Sequence, residues 1–575
     1  MPDFQNPQQE PGSERRLLLV FVLTFVVILL FQPLLKKYGP QTPVAPAPSQ
    51  VAKAQPETAS APAATPALAA VVPTPAGTRQ ASAETETIIE NDLYRITFSN
   101  RGAQVESWIL KKFNNEAQNG PLDLVNPLAA AKYGYPLSLW TYDETLRNRL
   151  SSALYVASSQ GVQAAPAEIT FEYSGQDLSV RKSFRFDHSY VLHVETAVAY
   201  KGSPLAAVPA WPSGFGDQTT PATYAASLID YQYNSNIERL ALKKISSGNT
   251  ISGPFHWAGP TDQYFAAAFI PDDPGSASMV QFHNSIDNPQ DVKRPFEVVG
   301  AAVGNLRGPT VERMYVGPKE LSSLEAVNVP GIAGTNPDLR GLVDFGWWGI
   351  LARPLFIWLK WTYNHVVPNW GWAIVLQTFI ISVALLPLRV SQMRSMLKMQ
   401  RVAPQIKSIQ EKYKKYSLRD PRKAAMNEEI SALYKKEGVN PAGGCLPLVI
   451  QMPFLFAYYR MLGTALDLRH AHWLWIHDLS ARDPIFLLPI AMVLSQLITS
   501  KMTPQAGMDP SQQKMMTWMM PLMMGFIFFN LPAGLNLYYA EVNLIGIVQQ
   551  SVMNRTQLGR EMREMMEKRA RKKDK

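Results

Sequence analysis

Cysteine is almost absent from this chain. Cys445 is the only one in 575 residues, which excludes an intramolecular disulfide and a zinc site of several thiolates. The phosphate-binding motif GxxxxGK(S/T), the zinc motif HExxH and the nucleophile motif GxSxG are missing too. Nothing therefore indicates an ATPase, a hydrolase or a metalloenzyme, and no cofactor is expected.

Long apolar runs are also scarce in one half of the chain. The mean hydropathy of −0.09 and the hydrophobic content of 46% would suit an ordinary soluble protein. These averages combine two unlike parts, because residues 40–340 are polar whereas residues 345–555 hold almost all the long apolar runs. A chain of 575 residues is too long for one compact domain, so several are expected.

The first apolar run covers residues 17–36, and about 20 apolar residues suffice to cross the hydrocarbon core of a bilayer. Two arginines precede it, two lysines close it, and no small-residue cleavage site adjoins it. We interpret it as a retained membrane anchor behind a cytoplasmic N-terminus, residues 1–16. The alternative is a cleaved signal peptide.

Two segments of different amino-acid composition follow the anchor. Residues 37–85 are rich in proline and alanine, which predicts a disordered linker. Residues 86–337 contain short runs of alternating apolar and polar residues, for example 93–98, 169–173 and 190–194, separated by turn-forming residues. This pattern predicts an all-β sandwich.

The second half contains five more candidate membrane spans. They cover residues 370–390, 445–466, 484–501, 515–531 and 533–553. Residues 338–369 precede them and mix tryptophans with Arg353 and Lys360, which is typical of an amphipathic helix in the interface plane.

The distribution of basic residues predicts the orientation. Residues 391–440 carry twelve Lys or Arg against five Asp or Glu, and residues 554–575 carry nine against four. Basic segments next to spans stay in the cytoplasm. Six spans then place both termini in the cytoplasm of a bacterium, and residues 86–337 in the periplasm.

The segment 391–440 is predicted to be a hairpin of two charged helices, broken at Asp420 and Pro421. It has few large apolar residues, which indicates a mobile element. It is either a solvated charged face or a surface for anionic lipid, ribosomal RNA or an acidic nascent chain. The basic tail 554–575 either contacts the ribosome or lipid, or serves only as a topology signal.

The fifth span is rich in methionine, a flexible side chain that adapts to varied apolar partners. These methionines predict either a hydrophobic slide for client helices or ordinary lipid-facing residues. The slide would consist of Met516, Met519, Met520 and Met523.

Polar residues inside the spans are the main functional candidates, since a charge at bilayer depth costs at least roughly 2.5–3.5 kcal/mol. Arg460 and Glu541 lie at matching depths, which allows an ion pair or a shared hydrated pocket, unless Arg460 snorkels to the interface. A second set follows helical spacing, and the sequence does not decide which set lines a cavity. Its members are Thr378, Ser382 and Arg389 on the second span, Gln451 on the third, and Asn536 and Asn543 on the sixth.

Three histidines and an aspartate precede the fourth span, at positions 470, 472, 477 and 478. They could suggest a metal site. Two tryptophans interleave them, however, and this favours a loop at the outer membrane interface.

Several motifs in this half resemble the YidC-type insertase family. They are NPAGGCLP at 440–447 with QMP at 451–453, WIHDLS at 475–480, DP at 509–510 with QQK at 512–514, and LYY at 537–539 with NL at 543–544. The segments QYFAAAFIP at 263–271 and FGWW at 345–348 are similar more loosely. The dense similarity covers roughly residues 340–555.

The resemblance implies a membrane α-helical bundle of six spans, whose last five form the insertase core, plus a periplasmic all-β supersandwich domain. It implies a membrane protein insertase and chaperone that works without covalent catalysis. Newly made inner-membrane proteins would be inserted and folded through a hydrophilic intramembrane groove, alone or with the Sec translocon. The implied partners are nascent membrane proteins, the lipid bilayer and Sec components, and the basic hairpin adds the ribosome.

One position departs from the family pattern. The family usually has a groove arginine five residues before the Pro-Leu of the second span, where this chain has Ser382. Either Arg460 supplies the positive charge, with Glu541 close enough to hold it, or Arg389 reaches back along the face of Thr378 and Ser382.

Two other classes of function compete with this interpretation. A small-solute transporter or channel would also place charges inside the membrane, but inverted repeats, which would favour it, are not visible among the five clustered spans. A sugar-converting enzyme in the β-domain is the other, because the family's β-fold is shared with sugar mutarotases, although fold does not imply function.

Overall fold

The alternating segments after residue 85 form strands, and the apolar runs after residue 345 form helices. The computed structural model describes residues 77–557, 560, 561 and 564, except for 176, 217–226, 235, 288–294, 328–336, 414, 417–419, 439–445 and 503–509. Residues 70–575 form one compact unit. The predicted N-terminus, the first span and most of the predicted linker lie outside the described residues.

The predicted β-rich domain is confirmed. Its strands, β1 to β20 in chain order, are Glu86–Glu90, Tyr94–Ser99, Gln104–Asn114, Pro121–Asp123, Ser138–Trp140, Val156–Ala157, Gly161–Ala164, Ala167–Gly175, Leu178–Phe186, Val191–Tyr200, Ser203–Pro204, Val208–Trp211, Leu228–Tyr233, Asn236–Ala241, Thr250–Ser252, Phe255–Thr261, Phe265–Pro271, Ala277–Ile286, Phe296–Asn305 and Thr310–Pro318. Successive side chains of a strand point to opposite faces, which is why the alternating runs bury one face.

The strands form three sheets. Their orders are β4-β3-β2-β1-β7, then β14-β13-β16-β17-β20-β10-β9-β8-β6 with β11 beside β10, and β15-β18-β19-β12-β5. In the large sheet Val194 of β10 lies opposite Phe184 of β9 and Glu312 of β20. Large aromatic side chains fill the space between the sheets, including Trp108 and Trp211, whose ring centroids are 5.7 Å apart. This contact joins the first sheet to the third.

Helices account for most of the second half. The α-helices, α1 to α11 in chain order, are Pro127–Tyr133, Glu144–Ser152, Leu321–Glu325, Gly349–His365, Trp370–Ala384, Leu386–Lys412, Arg422–Lys436, Leu446–Thr464, Leu487–Met502, Pro510–Phe528 and Ala533–Arg555. The helix is interrupted at Leu385, between α5 and α6, so Arg389 lies in the first turns of α6. Pro387 fits this position, because the first turn of a helix needs no hydrogen bond from its N–H.

The predicted hairpin is formed by α6 and α7, and these helices pack on each other. Val402 and Ile406 are buried there against Ile430, Leu433 and Tyr434. These few apolar side chains hold the two helices together, and the predicted mobility of the hairpin as a whole stays a prediction.

Apolar exposure separates the two parts of the molecule. All but four of the exposed large hydrophobic side chains among the described residues lie after residue 346; the four are Leu128, Tyr142, Val162 and Tyr233. Exposed apolar patches of this extent mark contact with protein or membrane. No helix in the described part of the chain is both long enough and apolar enough to span a membrane.

Charged side chains attach the β-rich domain to the loops between the helices. Arg469, in the loop after α8, pairs with Glu116 at 3.0 Å and donates to the carbonyl of Asn114 at 2.9 Å. Lys360 of α4 lies 2.9 Å from Glu320, which follows β20, and 3.1 Å from Asp467. The helix ends at this interface are called the β-domain side below.

Candidate functional site

One face of α5 and α6 lies against α11, and it carries the predicted set Thr378, Ser382 and Arg389. Thr378 is buried and donates to the carbonyl of Ile374 at 2.7 Å. Its hydroxyl also lies beside the Glu541 carboxylate on α11. Polar groups of the two helices therefore meet in an otherwise apolar contact.

Arg389 reaches α11 one to two turns further from the β-domain. Its Nη1 lies 3.0 Å from where a Cβ of Gly546 would be, so the guanidinium packs directly on the backbone of α11. Nearby, the side-chain amide of Gln549 donates to the carbonyl of Ser382 at 3.3 Å. The three residues predicted to share a face thus all border α11.

Glu541 is half-buried between these helices. Its Oε2 is enclosed and has no hydrogen-bond partner among the described residues. A buried polar atom without a partner costs about 1–3 kcal/mol, which makes it a candidate for binding another molecule.

Arg460 does not pair with Glu541. It donates to the Asp344 carboxylate at 2.6 Å and to the Asp344 carbonyl at 3.2 Å, and Arg239 of β14 lies 3.8 Å from the same carboxylate. The predicted Arg460–Glu541 pair is therefore wrong. Matching depth along two helices does not set the direction of a side chain, and Asp344 approaches Arg460 from the segment before α4.

Asp344 is a charged link between the β-rich domain and the helices. Burial raises its pKa, but the positive charges of Arg239 and Arg460, with hydrogen bonds from the Gly346 N–H and from Arg460, hold the pKa below its usual value. Asp344 therefore stays ionised at neutral pH and joins β14 to α8 through its two arginines.

A buried hydrogen-bond chain that sequence reasoning missed connects four helices. Gln377 is fully buried, donates to the carbonyl of Leu355 in α4 at 3.0 Å, and accepts from the hydroxyl of Tyr458 in α8 at 2.7 Å. The Tyr458 ring stacks on Tyr538 of α11 with centroids 4.1 Å apart. The sequence signal is a glutamine directly before Thr378 in an apolar run, but helical spacing turns it about 100° away from the face of Thr378, Ser382 and Arg389.

The predicted asparagines connect helices. Asn536 is fully buried and donates to the carbonyls of Phe528 and Leu531 at 3.1 and 3.3 Å, which satisfies the last carbonyl of α10 and one in the turn that follows it. Asn543 donates to the carbonyl of Met492 in α9 at 3.5 Å. The side chain of Gln451 lies outside the described part of the chain.

The predicted methionine slide lies on an exposed face of α10. Met519, Met520 and Met523 are 50%, 37% and 41% exposed, and Phe526 continues the same apolar surface at 77%. The side chain of Met516 lies outside the described residues.

Only part of the predicted histidine cluster comes together. Ligand atoms of His470 and Asp478 lie within 4.8 Å of each other and of Glu116 from the β-rich domain. The Glu116 carboxylate pairs with Arg469, and Asp478 accepts from the N–H and hydroxyl of Ser480 at 2.7 Å each. The contacts around both carboxylates thus belong to the interface between the two parts of the molecule.

Comparison with known proteins gives matches to both parts of the chain. Residues 86–358 match the family model described as YidC periplasmic domain, and residues 361–560 match the one described as 60Kd inner membrane protein. Together the two matches cover nearly all described residues.

Whole proteins match as well. Membrane protein insertase YidC of Geobacter metallireducens is 31% identical, with 94% of this chain and 98% of the relative covered. The protein of the same name from Syntrophus aciditrophicus is 30% identical, with 94% and 99% covered. A solved structure, an active YidC insertase with its first transmembrane domain resolved, is 19% identical at a TM-score of 0.34, with 83% of this chain and 94% of that chain covered. On the family models and the full-length relatives, the chain belongs to the YidC family of membrane protein insertases.

Proposed function

We infer that this chain inserts newly made proteins into the bacterial inner membrane, the function for which its full-length relatives are named. It is an inner-membrane protein with a periplasmic domain. The observation that supports this function best is the pair of charged side chains, Arg389 and Glu541, held between α5, α6 and α11 in a helical region with an apolar exterior.

The site performs insertion by replacing water around the polar part of a client. Moving an unpaired polar or charged group into lipid is costly, and fixed polar groups lower this cost. Burial of the client's apolar segment then drives insertion, at about 25 cal/mol per Å² of apolar surface removed from water. No covalent step is needed in this mechanism. The similarity to membrane protein insertases does not favour the alternative function, a small-solute transporter or channel.

The proposed membrane arrangement has six spans. Helices α5, α8, α9, α10 and α11 would form the core, α4 would lie in the interface, and residues 17–36 would supply the first span. The excess of Lys and Arg in residues 391–440 and 554–575 supports a cytoplasmic hairpin and C-terminus. The exposed apolar side chains after residue 346 support contact with lipid.

Arg389 is the proposed positive charge of the groove. It would take the role of the family's groove arginine, whose position is occupied by Ser382 in this chain. Its contact with the backbone at Gly546 supports this assignment, and the engagement of Arg460 by Asp344 argues against Arg460 in that role. Thr378, Ser382 and Gln549 would provide the neighbouring polar groups.

Contacts outside the groove complete the proposal. The exposed methionines of α10 would form the slide for a client helix, since their side chains adapt to different apolar partners. The basic hairpin of α6 and α7 would meet the ribosome or anionic lipid, and the chain would work alone or with Sec components. Arg401 of the hairpin pairs with Glu561 of the tail at 2.9 Å, which supports a shared surface.

Reconstitution tests the function directly. Purified chain in vesicles should insert a newly made single-span client, scored by protection of its translocated end from added protease. The double variant Arg389→Gln with Glu541→Gln should lose most of this protection. Arg555→Gln removes one charge from an exposed position of the same α11 and should keep it. Equal protection with and without the chain would contradict the proposal.

A further inference from the structure

A carboxyl group and a guanidinium lie where α11 meets α5 and the start of α6. The Glu541 carboxylate lies beside Thr378, and the Arg389 guanidinium lies on the backbone at Gly546. Glu541 and Gly546 are five positions apart on α11, which corresponds to about 7.5 Å along the helix axis. The carboxylate is the one nearer to the β-domain side.

These two charges do not neutralise each other in the described part of the chain, where no ion pair contains either of them. Arg460, the other intramembrane arginine candidate, is held by Asp344 at 2.6 Å. The Thr378 hydroxyl beside Glu541 donates to the carbonyl of Ile374, and the enclosed Oε2 of Glu541 has no hydrogen-bond partner among the described residues.

A structural role explains Glu541 poorly. A glutamine could fill the same space beside Thr378 without placing a carboxylate at this depth, where a charge is costly. A carboxylate becomes favourable when a cation binds it, and the ammonium of lysine and the guanidinium of arginine are the cations that a protein client carries. Arg389 provides the complementary site for an acidic residue.

We propose that Glu541 is a specificity-determining residue that admits clients whose translocated segment carries a basic side chain. Glu541 receives that side chain while Arg389 receives acidic ones, so the two residues sort clients by charge. The proposal rests on the insertase function, and it names the substrate class of the same site. A basic client side chain is attracted by Glu541 and repelled by Arg389, and for an acidic one the two effects are reversed.

Three matched clients test it in vesicles containing the full chain. They are one single-span protein with Lys, Asp or Gln at the same position of its translocated N-terminal tail. The readout is the protected fraction of the Lys or Asp client relative to the Gln client, which corrects for any general loss of active protein.

In Glu541→Gln the Lys-to-Gln ratio should fall about tenfold, since a partly desolvated charge pair couples by at least that factor. The Asp-to-Gln ratio should not fall. Glu541→Asp, which keeps the charge, should restore most of the Lys preference, and Arg389→Gln should lower the Asp-to-Gln ratio.

Two results overturn the proposal in distinguishable ways. If Glu541→Gln inserts all three clients in the wild-type ratios, or if Glu541→Asp behaves like Glu541→Gln, Glu541 does not select by charge and the insertase function stands. If the wild-type chain inserts no client better than protein-free vesicles do, the insertase function fails and the charge selection fails with it.

Discussion

Replacing Arg460 should weaken the attachment of α8 to the β-rich domain without removing the charge of the groove. The substitution is Arg460→Met, which keeps most of the apolar stem and removes the guanidinium. Its partner is Asp344, at 2.6 Å through the carboxylate and at 3.2 Å through the carbonyl. The guanidinium also packs within 3.1 Å of where a Cβ of Gly346 would be.

The expected magnitude follows from the exposure of the pair. Hydrogen bonds to charged groups contribute about 1.5–3 kcal/mol, whereas fully exposed ion pairs contribute at most about 1 kcal/mol. The two side chains are 34% and 32% exposed, so solvent screens part of the interaction. We expect a coupling free energy of about 1–2 kcal/mol between Arg460→Met and Asp344→Asn.

A double-mutant cycle in detergent micelles measures this coupling, with chemical unfolding followed by tryptophan fluorescence. Arg460→Met combined with Glu541→Gln is the matched control, and that pair should be additive within about 0.5 kcal/mol. Additivity between Arg460 and Asp344, together with coupling between Arg460 and Glu541, would refute the assignment and restore the ion pair predicted from depth alone.

The same pair gives a pH dependence. The pKa of Asp344 is lower in the folded chain than its usual value, so its stabilising effect is present above about pH 4 and is lost as the pH falls through the folded value. Asp344→Asn should remove this part of the acid destabilisation. If Asp344→Asn loses stability at low pH as strongly as the wild-type chain does, the carboxylate is not held by its arginines.

Three further predictions concern other buried or interface groups. Tyr458→Phe leaves the buried Gln377 oxygen without its donor and should lower the free energy of unfolding by about 1–3 kcal/mol, and an unchanged denaturation midpoint would contradict this. Arg469→Gln breaks the pair with Glu116 and should speed hydrogen exchange at residues 113–116, while equal rates would show no docking role. Burial raises the pKa of Glu312 well above its usual value, so its contribution to stability is complete below about pH 4 and is lost as the pH rises towards the folded value; Glu312→Gln should make the thermal midpoint less dependent on pH above about pH 5, and an unchanged pH dependence would contradict this.

Periodicity predicted the elements of this fold because it reports on local burial. Alternating runs such as 190–194 became part of β10, Val191–Tyr200, and the shared face of Thr378, Ser382 and Arg389 is the face that meets α11. Helical spacing extends through the break at Leu385, which is why Arg389 could be assigned to this face.

Partners that are distant in the sequence could not be predicted in this way. Arg460 and Asp344 are 116 positions apart, Tyr458 and Gln377 are 81 apart, and Arg469 and Glu116 are 353 apart. Periodicity predicts which face of a helix or strand a side chain lies on. The packing of the helices and strands against each other decides which group that side chain contacts. The wrong pair for Arg460 and the unnoticed Gln377 both result from this limit.

Cross-linking from α11 during insertion tests most directly whether clients pass between α5, α6 and α11. A photoreactive amino acid replaces Gln549, which donates to the Ser382 carbonyl, or in the control Val548, which is 62% exposed on the same helix. The charged tail of an arrested client should cross-link strongly from position 549 and weakly from position 548. Equal yields from both positions, or a stronger yield from position 548, would show that the client does not enter this site.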